Sequence, residues 1–194
     1  LKAEAAGVDA VVAEGFEAGG HNGREETTTM CLVPAVADAV QIPVIAAGGI
    51  HDGRTTLAAF ALGAEGVQIG SRFVATPESS AHRAFKERIL EAGEGETLLR
   101  LKDLTPVRLL DNPFSKQVAA AEEAGVGVEE LRSLLGRGRA KKGMFEGDLN
   151  EGELEIGQVS DQIKWIQPAA SIVEELVAAY QEFTSGMEDP HFRW

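Results

Sequence analysis

The sequence is short of cysteine, of basic side chains and of long apolar runs, and each shortage removes a class of protein. One cysteine, Cys31, excludes an internal disulfide and points to a reducing compartment, so a cytoplasmic location is expected. No Cys/His cluster has metal-ligand spacing, so no metal is expected. No apolar stretch approaches the ~20 residues that span a bilayer, and no secretory signal is visible. Lys and Arg number 18 against 31 Asp and Glu, a net charge of −13. A field of that sign repels nucleic acid and anionic membrane surfaces, so neither is an expected partner. An anionic ligand must then be held locally, by loop amides and helix N-termini.

Glycine, by contrast, is placed with a pattern. Residues 8–23 open as an apolar, β-branched run, the mark of a strand buried on both faces. The run breaks into Gly15, Gly19, Gly20 and Gly23 around His21. Residues 42–50 form a second apolar run that ends in Gly48-Gly49, and residues 66–73 a third that ends in Gly70-Ser71. Helical patterns separate them: a short one over 33–40 around Pro34, one over 54–62 capped by Asp52, and a long one from Thr76-Pro77 to Ala92. Strand, turn and helix thus recur three times at the length of a βαβ unit, which predicts a parallel sheet.

The pattern then changes. Residues 98–101 and 107–110 read as an added hairpin or as extended arms around Thr105-Pro106, Ser115 as the cap of a helix to Ala124, and 128–135 as another helix. Residues 136–142 form a basic, flexible patch, either a solvated surface or a contact to a ligand phosphate or an acidic partner. Residues 147–157 are acidic and glycine-rich, hence loop. Ser171 and Glu174 make a capping box for a last amphipathic helix, and the tail to Trp194 is expected to fray. The expected organisation is βα units over 1–95 and a mostly helical part over 96–194.

Among single residues, His21 either satisfies loop carbonyls or stands at the mouth of a parallel sheet, where α/β folds put their chemistry. Two successive strands ending in Gly48-Gly49 and Gly70-Ser71 suit a phosphate held by backbone N–H groups. Ser71 adds a hydroxyl donor and Gln68 can reach a ring edge. Cys31 reads as structural and His51 as a residue of the site mouth. His82 and His191 are expected to have no role. Glu14 and Glu17 flank the first turn; Glu14 either contacts ligand or is solvated.

Three segments carry a resemblance: Glu17-Ala18-Gly19-Gly20-His21, Ile45-Ala46-Ala47-Gly48-Gly49-Ile50 and Val67-Gln68-Ile69-Gly70-Ser71-Arg72-Phe73. Together with Pro106-Val107-Arg108, Gly147-Asp148 and Gly157-Gln158 they resemble the nitronate monooxygenase family, formerly the 2-nitropropane dioxygenases. Flavin-dependent enoyl-acyl-carrier-protein reductases are its close relatives. The resemblance implies an α/β fold, the C-terminal part of a TIM (β/α)8 barrel, with a helical extension over the active-site face. It implies FMN, a catalytic His21, flavin phosphate contacts at Gly48, Gly49, Gly70 and Ser71, and Gln68 and Gly19 near the cofactor. At Glu14 the family often has Gln. Only three of the eight barrel strands are counted, so a fragment is expected, its open face covered by a partner piece or a homodimer.

The function expected on this footing is oxidation of a small-molecule substrate, an alkyl nitronate, with O2. One alternative runs NAD(P)H through FMN to an enoyl thioester. Another, of a different class, is a non-catalytic remnant that keeps the phosphate cradle.

Overall fold

The computed structural model describes residues 1–186. His191 and the tail to Trp194 lie outside the described residues. The chain opens with a short helix, α1 (Lys2–Ala5), that ends at Gly7, whose φ of +84° suits the residue after a helix. Then come β1 (Val11–Glu14), β2 (Gly20–His21), α2 (Thr29–Ala37), β3 (Val44–Ala47), α3 (Gly53–Ala61), β4 (Gly66–Gln68) and α4 (Ser71–Val74). Next are α5 (Arg83–Leu90), β5 (Thr97–Arg100), β6 (Val107–Leu110), α6 (Pro113–Glu123) and α7 (Val128–Leu135). A π-helical turn (Lys141–Phe145), a 3-10 helix (Gln158–Gln162) and α8 (Ala169–Gly186) complete the described chain.

Two three-stranded sheets result. The first is parallel, in the order β1-β3-β4, with Val11 opposite Val44 and Ala46 opposite Val67. The second is antiparallel, in the order β2-β6-β5, and contains the expected hairpin. β2, from the glycine turn, is thus a strand of the second sheet, while α8 packs back on α3. This is an α/β fold, the C-terminal part of a (β/α)8 barrel with a C-terminal extension.

Three apolar clusters hold it. Ala13, Val33, Val44, Ala46, Ile50 and Ala59 fill the space between the parallel sheet, α2 and α3. Phe85, Ile89, Leu110, Leu154, Ile156 and Ile163 form a second cluster, and Leu101, Val107, Leu109, Phe114 and Val118 a third. Burial on both faces, expected of all three parallel strands, is most nearly met by the central β3. In β1, Val12 is 49% exposed, and its partner Ile45 is half-buried, so that face of the parallel sheet is incompletely covered.

Several boundaries differ from the sequence reading, and at α2 and α8 a distant carboxylate receives the first amide. α2 starts at Thr29 rather than near Pro34, since the Glu17 carboxylate accepts the Thr29 N–H at 3.0 Å. Pro34 lies inside that helix, where it leaves the Met30 carbonyl without its ladder donor. β4 ends at Gln68, and Ser71–Val74 is one helical turn. The helix expected from Thr76-Pro77 starts at Arg83, capped by His82 Nδ1, which accepts from the Ala84 N–H. Thr76 and Ser79 instead form a turn, pinned by the buried Lys86 ammonium, which donates to both their carbonyls at 2.6 and 2.7 Å.

α6 is capped by Asn112, three residues before Ser115. Ser115 returns the bond as the other half of a capping box. α8 starts at Ala169, ahead of the expected cap Ser171. Its first amide donates to the Glu78 carboxylate at 3.1 Å. The basic patch is not free. Arg139 donates to the carbonyls of Leu134, Leu135 and Glu151. Its guanidinium lies 4.5 Å from the Phe114 ring centroid, while Lys141 and Lys142 pair with Glu146 and Asp148.

Candidate active site

The C-terminal ends of the parallel strands open into a cleft of about 200 Å³. Gly19, Gly48, Gly49, Gln68, Gly70 and Ser71 all line it, with Glu14 and Glu17 on one side. Met144, Glu155, Ile156 and Val159 close the other side. Three strand ends and a returning C-terminal segment therefore converge, as parallel sheets direct their ligand sites.

The glycines are there for close approach. Gly48 has φ +89°, and a Cβ on it would stand 2.7 Å from the Gly15 carbonyl oxygen. A Cβ on Gly19 would stand 2.4 Å from the backbone of Ile156, so the first turn is pressed against the C-terminal segment. Hydrogen bonds fasten the same contact: the Gln158 N–H donates to the Glu17 carbonyl, and the Gly157 N–H to Ser71 Oγ at 2.9 Å. Ser71 Oγ accepts there, which leaves its own proton to donate into the cleft. Gly70 is different, since a Cβ on it would meet no atom within 4 Å.

The amides of Gly48, Gly49, Gly70 and Ser71 donate to no acceptor among the described residues. Four free N–H groups, one hydroxyl proton and open space at Gly70 suit a phosphate. Glu17 is committed, because both its oxygens receive the Thr29 amide. Glu14 is not, and burial raises its carboxyl above the ordinary carboxylate range.

His21 lines a neighbouring cavity of about 240 Å³. Its walls are Leu101, Leu104, Val107 and Leu135, with Thr105, Arg139, Glu153 and Glu155 supplying the polar atoms. Glu155 borders both cavities, so the imidazole and the glycine cradle lie on either side of one carboxylate. Leu101 is buried in the left-handed region at φ +58°, a strained conformation of the kind found where function constrains a chain.

Behind the first turn, the buried Arg108 donates to the Phe16 carbonyl through Nε and Nη2 at 3.1 and 2.9 Å. Burial lowers its pKa, opposed by Glu17 and Glu26.

His51 is not at the mouth. It borders a separate cavity between α3, α4 and α8, with Asp52, Arg72 and Glu175. There burial lowers its pKa, the nearest opposing charge being Asp52. Cys31 is exposed on α2.

Sequence reasoning missed Glu153 and Glu155, which it placed in loop. The signal was the alternation Glu153-Leu154-Glu155-Ile156, a strand pattern hidden by flanking glycines. Leu154 and Ile156 are buried, and Glu155 bridges antiparallel to Leu109.

A glycine-lined cleft at the ends of parallel βα units defines the class, a protein of the β/α-barrel type with its candidate ligand site at the strand ends. The nitronate monooxygenase family profile matches residues 1–179. The chain belongs to that family. It is 49% identical over 106 residues to a Bacillus subtilis protein described as a probable nitronate monooxygenase, covering 51% of this chain and 30% of that one. FabK from Thermotoga maritima superposes with a TM-score of 0.90 at 41% identity, covering 96% of this chain and 59% of that one. A nitroalkane oxidase from Streptomyces ansochromogenes superposes with a TM-score of 0.76 at 34% identity, covering 96% and 55%. The chain thus spans 30% of the curated relative and little more than half of each solved chain.

Proposed function

We propose that this chain carries the FMN phosphate cradle and the proton-transferring histidine of an oxidoreductase that oxidises alkyl nitronates with O2. The observation that carries the reading is the cleft that brings Gly48, Gly49, Gly70 and Ser71 together with Gly19 and Gln68. Its free amides, the Ser71 hydroxyl and the space at Gly70 fit a phosphate monoester. FMN would supply electron transfer between the substrate and O2. In a chain of net charge −13, neutral N–H donors are the groups that hold a dianion.

His21 takes the proton α to the nitro group of a neutral nitroalkane, which delivers the nitronate, or orients a nitronate that arrives as the anion. Met144, Ile156 and Val159 give the cleft an apolar part to its lining. Family membership and the likeness to a nitroalkane oxidase support the reading.

A second reading is favoured by the apolar wall of Leu101, Leu104, Val107 and Leu135 beside His21. Such a wall suits an acyl chain, and the reaction would pass hydride from NAD(P)H through FMN to an enoyl thioester. One experiment tests both. FMN is added to the purified chain and its fluorescence followed, then turnover is measured with propyl-2-nitronate and O2, and with crotonyl thioester and NADH. Quenching of FMN with nitronate oxidation upholds the first reading. NADH oxidation driven by the thioester alone transfers the assignment to the second. Absence of FMN quenching removes both and leaves a non-catalytic remnant.

A further inference from the structure

The edge of β6 is shared by two segments distant in sequence. β2 occupies one part of it, with His21 opposite Val107 and Gly20 opposite Arg108. Beyond Gly20 the edge passes to the segment 153–156. Glu155 stands opposite Leu109, and the Leu110 N–H donates to the Leu154 carbonyl at 2.9 Å. Residues directly opposite in an antiparallel pair project to the same face, and alternate residues of one strand share a face. Val107 and Leu109 are alternate residues of β6, so their partners His21 and Glu155 project to one face. Two residues at about 3.4 Å each set them about 7 Å apart along the strand.

Both side chains line the cavity walled by Leu101, Leu104 and Leu135. The Glu155 carboxylate lies over the backbone beside His21: a Cβ on Gly20 would stand 2.5 Å from Glu155 Oε2.

We propose that Glu155 acts through His21, as its positioning residue and proton partner, from the wall between the phosphate cleft and the histidine cavity. The two side chains make no direct hydrogen bond as they stand; when they meet across the cavity they share, a protonated Glu155 carboxyl gives its proton from Oε to an imidazole nitrogen. Carboxylate and imidazolium form together, and the net charge of the pair is unchanged. In reverse, the carboxylate recovers the proton that His21 has taken from substrate. A constant charge matters in a cleft bordered by Glu14 and Glu17, where a new uncompensated anion is costly.

The other charged groups facing Glu155 are Glu14 and Glu17 across the cleft, with Glu153 and Arg139 on the histidine side. Arg139 is held by the Leu134, Leu135 and Glu151 carbonyls. Glu17 is held by Thr29. That leaves His21 as the cation able to exchange a proton with Glu155. Burial raises the Glu155 carboxyl above its ordinary range, and the charge of His21 opposes that rise. The pairing needs no particular substrate, but its use in turnover rests on the oxidoreductase reading above.

The test is a carboxyl-carbon NMR titration of the intact chain labelled at glutamate Cδ, with the Glu155 signal assigned by its loss in Glu155→Gln. Replacing His21 by Gln is expected to raise the Glu155 midpoint by at least about half a pH unit, since an attractive cation is removed. An unchanged midpoint overturns the proposal. Wherever the parent turns over substrate, Glu155→Gln at saturating FMN is expected to lower kcat/KM at least about tenfold and flatten its pH profile. Glu155→Asp is expected to restore the profile in part. A Glu155→Gln profile identical to the parent's also overturns the proposal. A parent that binds no FMN defeats the oxidoreductase reading, while the titration still decides the pair.

Discussion

Arg108 holds Phe16 by both its ring and its carbonyl: the guanidinium lies 4.4 Å from the ring centroid and donates two hydrogen bonds to the carbonyl oxygen. The first glycine turn is thereby tied to the second sheet. Arg108→Met keeps much of the volume but leaves a buried carbonyl without its donors, a loss of about 1–3 kcal/mol. The urea midpoint is expected to fall accordingly, and FMN affinity with it. Arg108→Lys is expected not to rescue, because an ammonium lacks the planar fork. An unchanged midpoint in Arg108→Met would show that the turn holds itself.

Gly70 and Gly48 separate binding from folding. At Gly70 an added methyl meets nothing within 4 Å, so Gly70→Ala is expected to leave stability unchanged. Gly70 lines the cleft, so on the proposed reading the FMN Kd is expected to rise about tenfold, which is about 1.4 kcal/mol. Gly48→Ala places a Cβ at φ +89°, 2.7 Å from the Gly15 carbonyl oxygen. A loss of at least about 1 kcal/mol in stability is expected there. Equal stability loss in the two variants would contradict the geometry.

Glu153 makes stability depend on pH in an unusual direction. Burial, then the neighbouring Glu155, push its carboxyl up to about 7, opposed by Arg139 and the Ala140 amide. Between an ordinary value of 4.5 and about 7 the folded chain therefore keeps a proton that the unfolded chain has released. The contribution of Glu153 is full below the ordinary value, falls as pH rises, and is flat above about 7. Its size is on the order of 2–3 kcal/mol. Subtracting the stability of Glu153→Gln from that of the parent, by urea unfolding at several pH values, is expected to give this falling curve. A curve rising over the same window would reverse the assignment.

The start of α8 belongs to Glu78. Its carboxylate receives the Ala169 amide, whereas Ser171 sits inside the first turn. Glu78→Ala is expected to cost about 0.5–1 kcal/mol and to speed amide exchange in that turn. Ser171→Ala is expected to stay within about 0.5 kcal/mol. Larger damage from the serine variant would return the cap to Ser171.

What could be read along the chain was whatever depends on near neighbours. The three βα units, the hairpin, the Asp52 cap and α7 all rest on period, turn chemistry and capping within a few residues. That Gly48-Gly49 and Gly70-Ser71 stand at strand ends was legible for the same reason, since each pair follows its own apolar run; that they line one cleft was not. Of the four misplaced helix starts, α6 was off only by a local choice of cap, and the other three were misplaced for the opposite reason. Thr29 is capped by Glu17, Ala169 by Glu78, and the segment before Arg83 is held out of helix by Lys86.

The sequence by itself thus determined the alternation of strand and helix and which residues stand at each strand end, because a few neighbouring residues decide those. Only the tertiary structure decided that His21 and Glu155 share one face of β6, with Arg108 anchoring the turn between them. An antiparallel edge has a register, and a shift of one residue would turn either side chain away from the cavity. That register is set by the close packing of Gly19 on Ile156 and of Gly20 under Glu155, contacts between segments that no local pattern connects.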